Sequence, residues 1–353
     1  MLSLFKKTKS AFGLDLSGTS IKLLQLSHSG KSVSVKGYTD TALPKGLMIS
    51  DAITDGKTFS YLIKQAMEKP QFGQFDTNYV VASLPESKSF VRVIQIPVMG
   101  DLEAESAIPF EAESFIPLPI DQVYLDWQKL STVGDKMNIL IIASPREFVD
   151  KYIGYLEQAG LRVMALEVES QSCFRALTAK NNNETSLIVD LDAFRSSLIM
   201  VEEGCLQFTS SVPIAGNSFS ESIATALGIS SAKAEEIKKK VGIANTVAYP
   251  NIKTALLPIL NNLSGEIKSI LKFHAEHSDK QVSRIVLAGG SAKLKNLAEF
   301  LSPQLAEFSN LKVELANPWQ NLPVLQNPPL NAYDSLSFVT AIGLAMRGLD
   351  YTL

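Results

Sequence analysis

The chain has 353 residues, 46% hydrophobic and 20% charged, with a formal net charge of −3 at pH 7. That length supplies a large core and more than one domain, and the near-balanced charge excludes a general nucleic-acid binder. No apolar run approaches the ~20 residues that span a bilayer, and two isolated cysteines, Cys173 and Cys205, form no CxxC pair, which fits a cytosolic chain with buried free thiols.

The opening MLSLFKKTKSAFG carries Lys6, Lys7 and Lys9 but neither the apolar core nor the cleavage site of a signal peptide. Leu2, Leu4 and Phe5 beside these lysines leave two readings open, contact with an anionic membrane surface or a disordered lead into the first strand. Residues 13-GLDLSGTSIKLLQL-26 read as a β-hairpin, with Phe12, Leu14 and Leu16 entering the turn Ser17–Gly18–Thr19–Ser20 and Ile21, Leu24 and Leu26 leaving it. Small residues let backbone N–H groups approach an anion, and the hydroxyls add donors. Asp15, at the lip, would repel a phosphate unless a Mg²⁺ lay between them. By itself the stretch is an ordinary hairpin with a polar turn.

A further strand covers 31–43, and Phe59, Leu62, Ile63, Ala66 and Met67 predict a helix over 57–69 that stops at Pro70. Tyr79–Ser83 completes a first α/β unit. Composition then changes. A strand over 90–96, a helix over 101–115 disturbed at Pro109, strands over 123–127 and 138–144, and a helix capped by Ser144 and ended by Gly160 form a small α+β unit. Residues 162–167 return to the main sheet, 170–180 read as a helix, and 181-NNNET-185 as a polar hinge.

Residues 187-LIVDLDAFRSSLIMV-201 repeat the layout of the first hairpin, with Asp190 matching Asp15. Strand 206–213 and a helix over 217–227, closed by Gly228, come next. Ser230 or Ser231 caps another helix, on which 235-EEIKKK-240 reads as a solvated face. Residues 252–277 predict one long helix. Its His274 and His277 lack further ligands and read as surface or satisfied histidines. In 284-RIVLAGGSAKLKNLAEFL-301 a short strand runs into Gly289–Gly290, with Ser291 as the N-cap of a helix carrying Leu294, Leu297, Phe300 and Leu301. A Pro-rich connection at 316–330 precedes a last helix over 335–349.

Hairpin, hairpin, then strand–Gly-Gly-Ser–helix resembles the actin/Hsp70/sugar-kinase superfamily. Within it the chain most resembles the PilM family of type IV pilus assembly, related to the division protein FtsA. The matching stretches are 13–26, 105-ESAIPFEAESFIPLPIDQVYLDW-127, 216-GNSFSESIATALGISSAKAEEIK-238 and 285–297. The resemblance implies an actin-like (ribonuclease H-like) α/β fold of two lobes. The first lobe takes 1–83, 161–184 and 335–353, an inserted SHS2-type α+β subdomain takes 84–160, and the second lobe takes 185–334.

It also implies a site for Mg·ATP between the lobes. Asp15 and Asp190 would face the Mg²⁺ through water. Ser17, Gly18, Thr19 and Ser20 would hold the β- and γ-phosphates. Gly289, Gly290 and Ser291 would line the α-phosphate and adenosine, Glu235 and Lys238 the ribose or adenine, with Lys22, Gly216 and Leu294 completing the contacts. Glu111 or Glu113 would orient a hydrolytic water.

Two departures bear on this. The first loop reads Asp15-Leu16-Ser17, with Gly18 one place late. The second reads Asp190-Leu191-Asp192-Ala193-Phe194-Arg195, with a carboxylate in place of the usual glycine and Arg195 positioned in sequence to offset it. The later loop has Gly216-Asn217. The expectation is a kept fold with ATP binding weakened or lost, which leaves enzymatic activity open. By resemblance the partner is the short cytoplasmic N-terminal tail of a PilN-type inner-membrane protein, in a groove between the first lobe and the insertion. Self-association into rings at the cytoplasmic face of the inner membrane is also implied. The alternatives are a sugar or acetate kinase of the superfamily, and an FtsA-like division protein. The latter calls for an amphipathic helix after the last core helix, where the chain instead stops at Leu353.

Overall fold

The computed structural model describes residues 10–29, 32–179, 183–322 and 328–350. The lysine-bearing start, the beginning of the polar hinge, part of the Pro-rich connection and the last three residues lie outside them. The first lobe opens with β1 (Phe12–Leu16), β2 (Ser20–Ser29) and β3 (Ser32–Ala42), followed by the two-residue strands β4 (Met48–Ile49) and β5 (Ala52–Ile53). Asp55 accepts hydrogen bonds from the Lys57 and Thr58 amides and so starts α1 (Gly56–Glu68), which buries Phe59, Ile63 and Ala66. The short β6 (Phe72–Gly73) and β7 (Tyr79–Leu84) complete this stretch.

Next come β8 (Phe90–Pro97), α2 (Asp101–Glu113), β9 (Val123–Val133), β10 (Lys136–Pro145) and α3 (Arg146–Gln158). Strand β8 and the β9–β10 hairpin form an antiparallel sheet. Ile94, Ile96, Ile139 and Ile141 on it, with Ala104, Ile108 and Ala112 of α2, make a separate core. Helix α3 does not join that core. Its Val149, Tyr152 and Leu156 pack with Phe59 and Ile63 of α1 in the first lobe. Ser144, expected as a cap, stays in the strand opposite Tyr124, and its hydroxyl pairs with that of Ser89 at 2.9 Å. The helix therefore starts one residue after Pro145 with no side-chain cap.

Strand β11 (Arg162–Val168) returns to the first sheet beside β7, whose order is β11-β7-β1-β2-β3-β6, and α4 (Glu169–Leu177) follows. The second lobe holds β12 (Thr185–Leu191), β13 (Ser196–Glu202), β14 (Cys205–Val212), α5 (Gly216–Leu227), α6 (Ser231–Val241), α7 (Ile252–His277), β15 (Val282–Ala288), α8 (Leu297–Gln304) and β16 (Lys312–Leu315). Ser230, not Ser231, caps α6 by accepting from the Lys233 amide. Its five strands join the insertion's three in one sheet, β16-β15-β12-β13-β14-β8-β10-β9, and β14 meets β8 at a single pair, Phe208 and Arg92. His274 is buried, with Nε2 2.8 Å from Glu202 Oε2, which is the satisfied histidine expected.

Beyond β15 the structure departs from the expected helix. A single 3₁₀ turn spans Gly290–Lys293, Leu294 drops into the second lobe's core, and α8 begins only at Leu297 behind a left-handed Asn296. Ser291 caps nothing. Its hydroxyl donates to the Asp192 carbonyl at 3.1 Å.

A short α9 (Ala332–Ser335) leads to α10 (Val339–Asp350), which lies across β1 and α4 of the first lobe. Glycines permit this approach. A Cβ on Gly13 would lie 2.4 Å from the Ala341 carbonyl oxygen, and one on Gly343 2.0 Å from that of Ser172. Gly343→Ala is expected to cost about 1–3 kcal/mol by overpacking, read as a lower urea midpoint with an unchanged slope.

Candidate nucleotide cleft

The two Asp-bearing hairpins come together between the lobes. In the first, the hydroxyls of Ser17 and Ser20 are engaged locally. Ser17 Oγ donates to the Ser20 carbonyl at 3.1 Å, the Ser20 amide donates to Ser17 Oγ at 3.2 Å, and Lys22 Nζ donates to Ser20 Oγ at 2.8 Å. Asp15 is buried and accepts from Ser83 Oγ at 3.4 Å. Lys22 stands directly across from Asp15 on β2.

In the second hairpin, Cys173 Sγ donates to Asp190 Oδ2 at 3.1 Å, while Asp190 Oδ1 is buried without a hydrogen-bond partner. Gly289, at φ +83, is needed here because a Cβ would lie 2.5 Å from that oxygen. The loop after Asp190 is bound to its own lobe. The Asp192 carbonyl accepts from the Gly216 amide at 2.8 Å, and the Ala193 carbonyl from the Asn217 amide at 2.9 Å. Arg195 does not offset Asp192, as its sequence position implied. Its Nε donates to Ser211 Oγ at 2.8 Å and its guanidinium to the Ser211 carbonyl, so it is held on β14. The ring of Phe194 reaches the other lobe, where a Cβ on Gly18 would lie 2.2 Å from it.

Burial dominates the electrostatics. It pushes the Asp15 carboxyl up to about 7; Lys22 pulls down, and the charges of Asp192 and Asp40 push further up. Burial also raises Asp190, Asp192 and Glu169, with the charge of Asp192 adding to Asp190 and Glu169. Burial alone would lower Lys22, but Asp15, Asp40, Asp192 and Asp190 outweigh it and hold the ammonium charged. A carboxyl whose folded pKa is raised binds more protons folded than unfolded, so its contribution is present at low pH and lost as pH rises through the folded value. For Asp15 the window runs from 3.8 to about 7. Stability is expected to fall across it by up to about 1.4 kcal/mol per pH unit for one such group. Thermal midpoints at pH 5 and pH 8 measure this, and Asp15→Asn should flatten the difference.

The expected adenosine side is also assembled, in a different role. Lys238 is buried, donates to the Gly216 carbonyl at 2.7 Å and pairs with Glu235 at 2.6 Å, so the run at 235–240 is not a uniformly solvated face. Ser291 adjoins this cluster, with its Oγ 2.3 Å from where a Cβ on Gly216 would sit, whereas Gly290 faces Ser337 and Leu294 belongs to the core. Glu111 and Glu113 stand exposed on α2, over the insertion's own core. The acid that the sequence reading missed is Glu169, the first residue of α4. It is half-buried, feels Asp192 and Asp15, and accepts from the Glu86 amide at 3.1 Å. An acid directly after the strand that returns to the first sheet was the available signal.

As arranged, these residues do not fit a bound triphosphate. The Phe194 ring fills the space over Gly18, and Asp192 adds a carboxyl that feels the Lys22 charge at a loop position where a glycine would leave backbone amides open to an anion. A groove of about 950 Å³ opens elsewhere, between β8 and β10 of the insertion and β14 and α7 of the second lobe, lined by Arg92, Gln95, Asn138, Phe208 and Phe273. Among the described residues no helix is long and apolar enough to cross a membrane, and no cluster of metal-binding side chains occurs.

Comparison with known proteins places this geometry. The solved structure of a PilM–PilN type IV pilus biogenesis complex contains a chain 26% identical, matched over 97% of this chain and 99% of that one with a TM-score of 0.82. Ethanolamine utilization protein EutJ from Carboxydothermus hydrogenoformans (16% identity, 95% and 89% covered, TM-score 0.57) shares the fold. So does MreB5 of Spiroplasma citri bound to AMPPNP (14%, 96% of each chain, TM-score 0.55). Cell division protein FtsA from Pseudomonas aeruginosa is 25% identical over 219 residues, and the match spans 55% of this chain and half of that relative's length. A family model described as type IV pilus assembly protein PilM matches residues 13–349, and the chain belongs to that family.

Proposed function

We propose that this protein is an actin-like adaptor of type IV pilus assembly, working at the cytoplasmic face of the inner membrane. It binds the cytoplasmic N-terminal tail of a PilN-type membrane protein and has weak or no nucleotide binding. The observations that carry the reading are the PilM family match over residues 13–349 and the likeness to a chain of a PilM–PilN complex along 97% of the length. The insertion packs its own core under α2, while its Val91 and Leu140 join Ile199, Val201 and Leu206 of the second lobe, so the α2 side is the surface it presents to a partner. An extended tail suits recognition by strand addition or by a groove beside such a sheet. A kinase reading lacks support: Phe194 fills the space over Gly18, Asp192 brings a carboxyl to bear on Lys22, and the acids nominated for catalysis face solvent.

The test is calorimetric titration with a synthetic peptide of a PilN-type cytoplasmic tail. Saturable binding at micromolar concentrations is expected. Absence of heat up to ~1 mM peptide, which bounds the affinity at about −4 kcal/mol, would count against the adaptor reading.

A further inference from the structure

We infer that the second hairpin loop is the cleft's resident occupant. The Phe194 ring takes the space over Gly18, and the Asp192 carboxylate takes the place of phosphate charge against Lys22, so a nucleotide enters only if the loop leaves. The inference rests on reading the chain as an actin-like adaptor with a cleft between its lobes.

Three observations carry it. The first is steric. Gly18 belongs to the turn of the first lobe and Phe194 to the loop of the second, and the missing Cβ of Gly18 is what lets the ring approach. The ring is 50% exposed, so it bridges the mouth of the cleft and is not part of a core. The second is the anchoring of the loop. The Asp192 carbonyl receives the Gly216 amide and the Ser291 hydroxyl, and the Ala193 carbonyl receives the Asn217 amide. Residues that would otherwise line a nucleotide are thus engaged in holding the loop. The third is charge. Arg195 is committed to Ser211, so the cation that bears on Asp192 is Lys22 from the opposite lobe. Ring and carboxylate therefore both act across the cleft, and the loop latches the two lobes together.

Three proteins would be titrated with MgATP by calorimetry: the natural chain, Phe194→Ala, and the double variant Phe194→Gly with Asp192→Gly. The natural chain is expected to give no saturation below ~1 mM, and the double variant to bind at least about 30-fold more tightly. Phe194→Ala should gain less than the double variant. Adding Lys22→Met to the double variant should remove the gain. Circular dichroism and the melting midpoint establish that each variant is folded, and Phe194→Ala serves alone if the double variant is not. Micromolar binding by the natural chain would overturn the inference, as would a folded opened variant that binds no better. Tail-peptide binding by the natural chain, measured in parallel, separates the two readings. Its loss with ATP results as expected removes the adaptor and leaves the latch, and the reverse pattern removes the latch alone.

Discussion

Lys22→Met is expected to lower the unfolding free energy by about 3–5 kcal/mol at pH 8, because it leaves buried carboxylates without their cation. The ammonium lies on β2, 7% exposed, and its charge reaches Asp15, Asp190 and Asp192. Methionine keeps the length and loses the charge and the bond to Ser20. The carboxyls answer by taking up protons, more easily at low pH. The loss should therefore shrink between pH 8 and pH 5.5 in urea unfolding. Asp15→Asn placed in the Lys22→Met background should restore part of the stability. An equal loss at both pH values would assign the effect to packing and not to charge.

Glu167→Ala is the second large effect. Glu167 is the penultimate residue of β11, with a side chain 1% exposed, and it receives Arg175 through both terminal nitrogens, Arg347 at 3.0 Å and the Ser172 hydroxyl at 3.1 Å. One carboxylate thus ties a strand to α4 and α10. The arginines are 30% and 33% exposed, so water compensates part of their loss. A cost of about 2–4 kcal/mol is expected, with hydrogen exchange quickening first in α10. Arg347→Ala removes one contact of the four and should cost about 1 kcal/mol.

Elements with strong periodicity were legible in the sequence. The Asp-bearing hairpins, α1, α7 and α10 carry apolar spacing that matches their buried faces, and Gly228 ends α5 in the left-handed conformation expected of it. Strand β9 runs six residues past Trp127, through a polar stretch whose outer side faces water and so carries no apolar signal. Gly289–Gly290 promised a helix N-terminus, yet the pull of Leu294 into the core delays the helix to Leu297. The cleft was legible in its parts but not in its state. Asp192 and Phe194 stood out as departures from the family pattern, whereas the ring's position on Gly18 and the commitment of Arg195 to Ser211 depend on strands far apart in sequence. Helix α3 was grouped with the insertion by chain order, but its Val149, Tyr152 and Leu156 face α1.

The placement of α10 bears on how the protein is made. The helix at 339–350 covers a strand at 12–16, so β1 emerges from the ribosome hundreds of residues before its cover exists. At ~5–20 residues per second, the first sheet waits on the order of tens of seconds with an apolar face open. The outer core of the insertion and the helical core of the second lobe each draw on one continuous stretch and are free to form in that interval, whereas the core that α10 shares with both must wait. The first lobe, composed of the earliest and latest residues, closes last. Deletion of α10 should therefore yield a chain in which the helical core of the second lobe forms while the amino-terminal sheet is captured by chaperones.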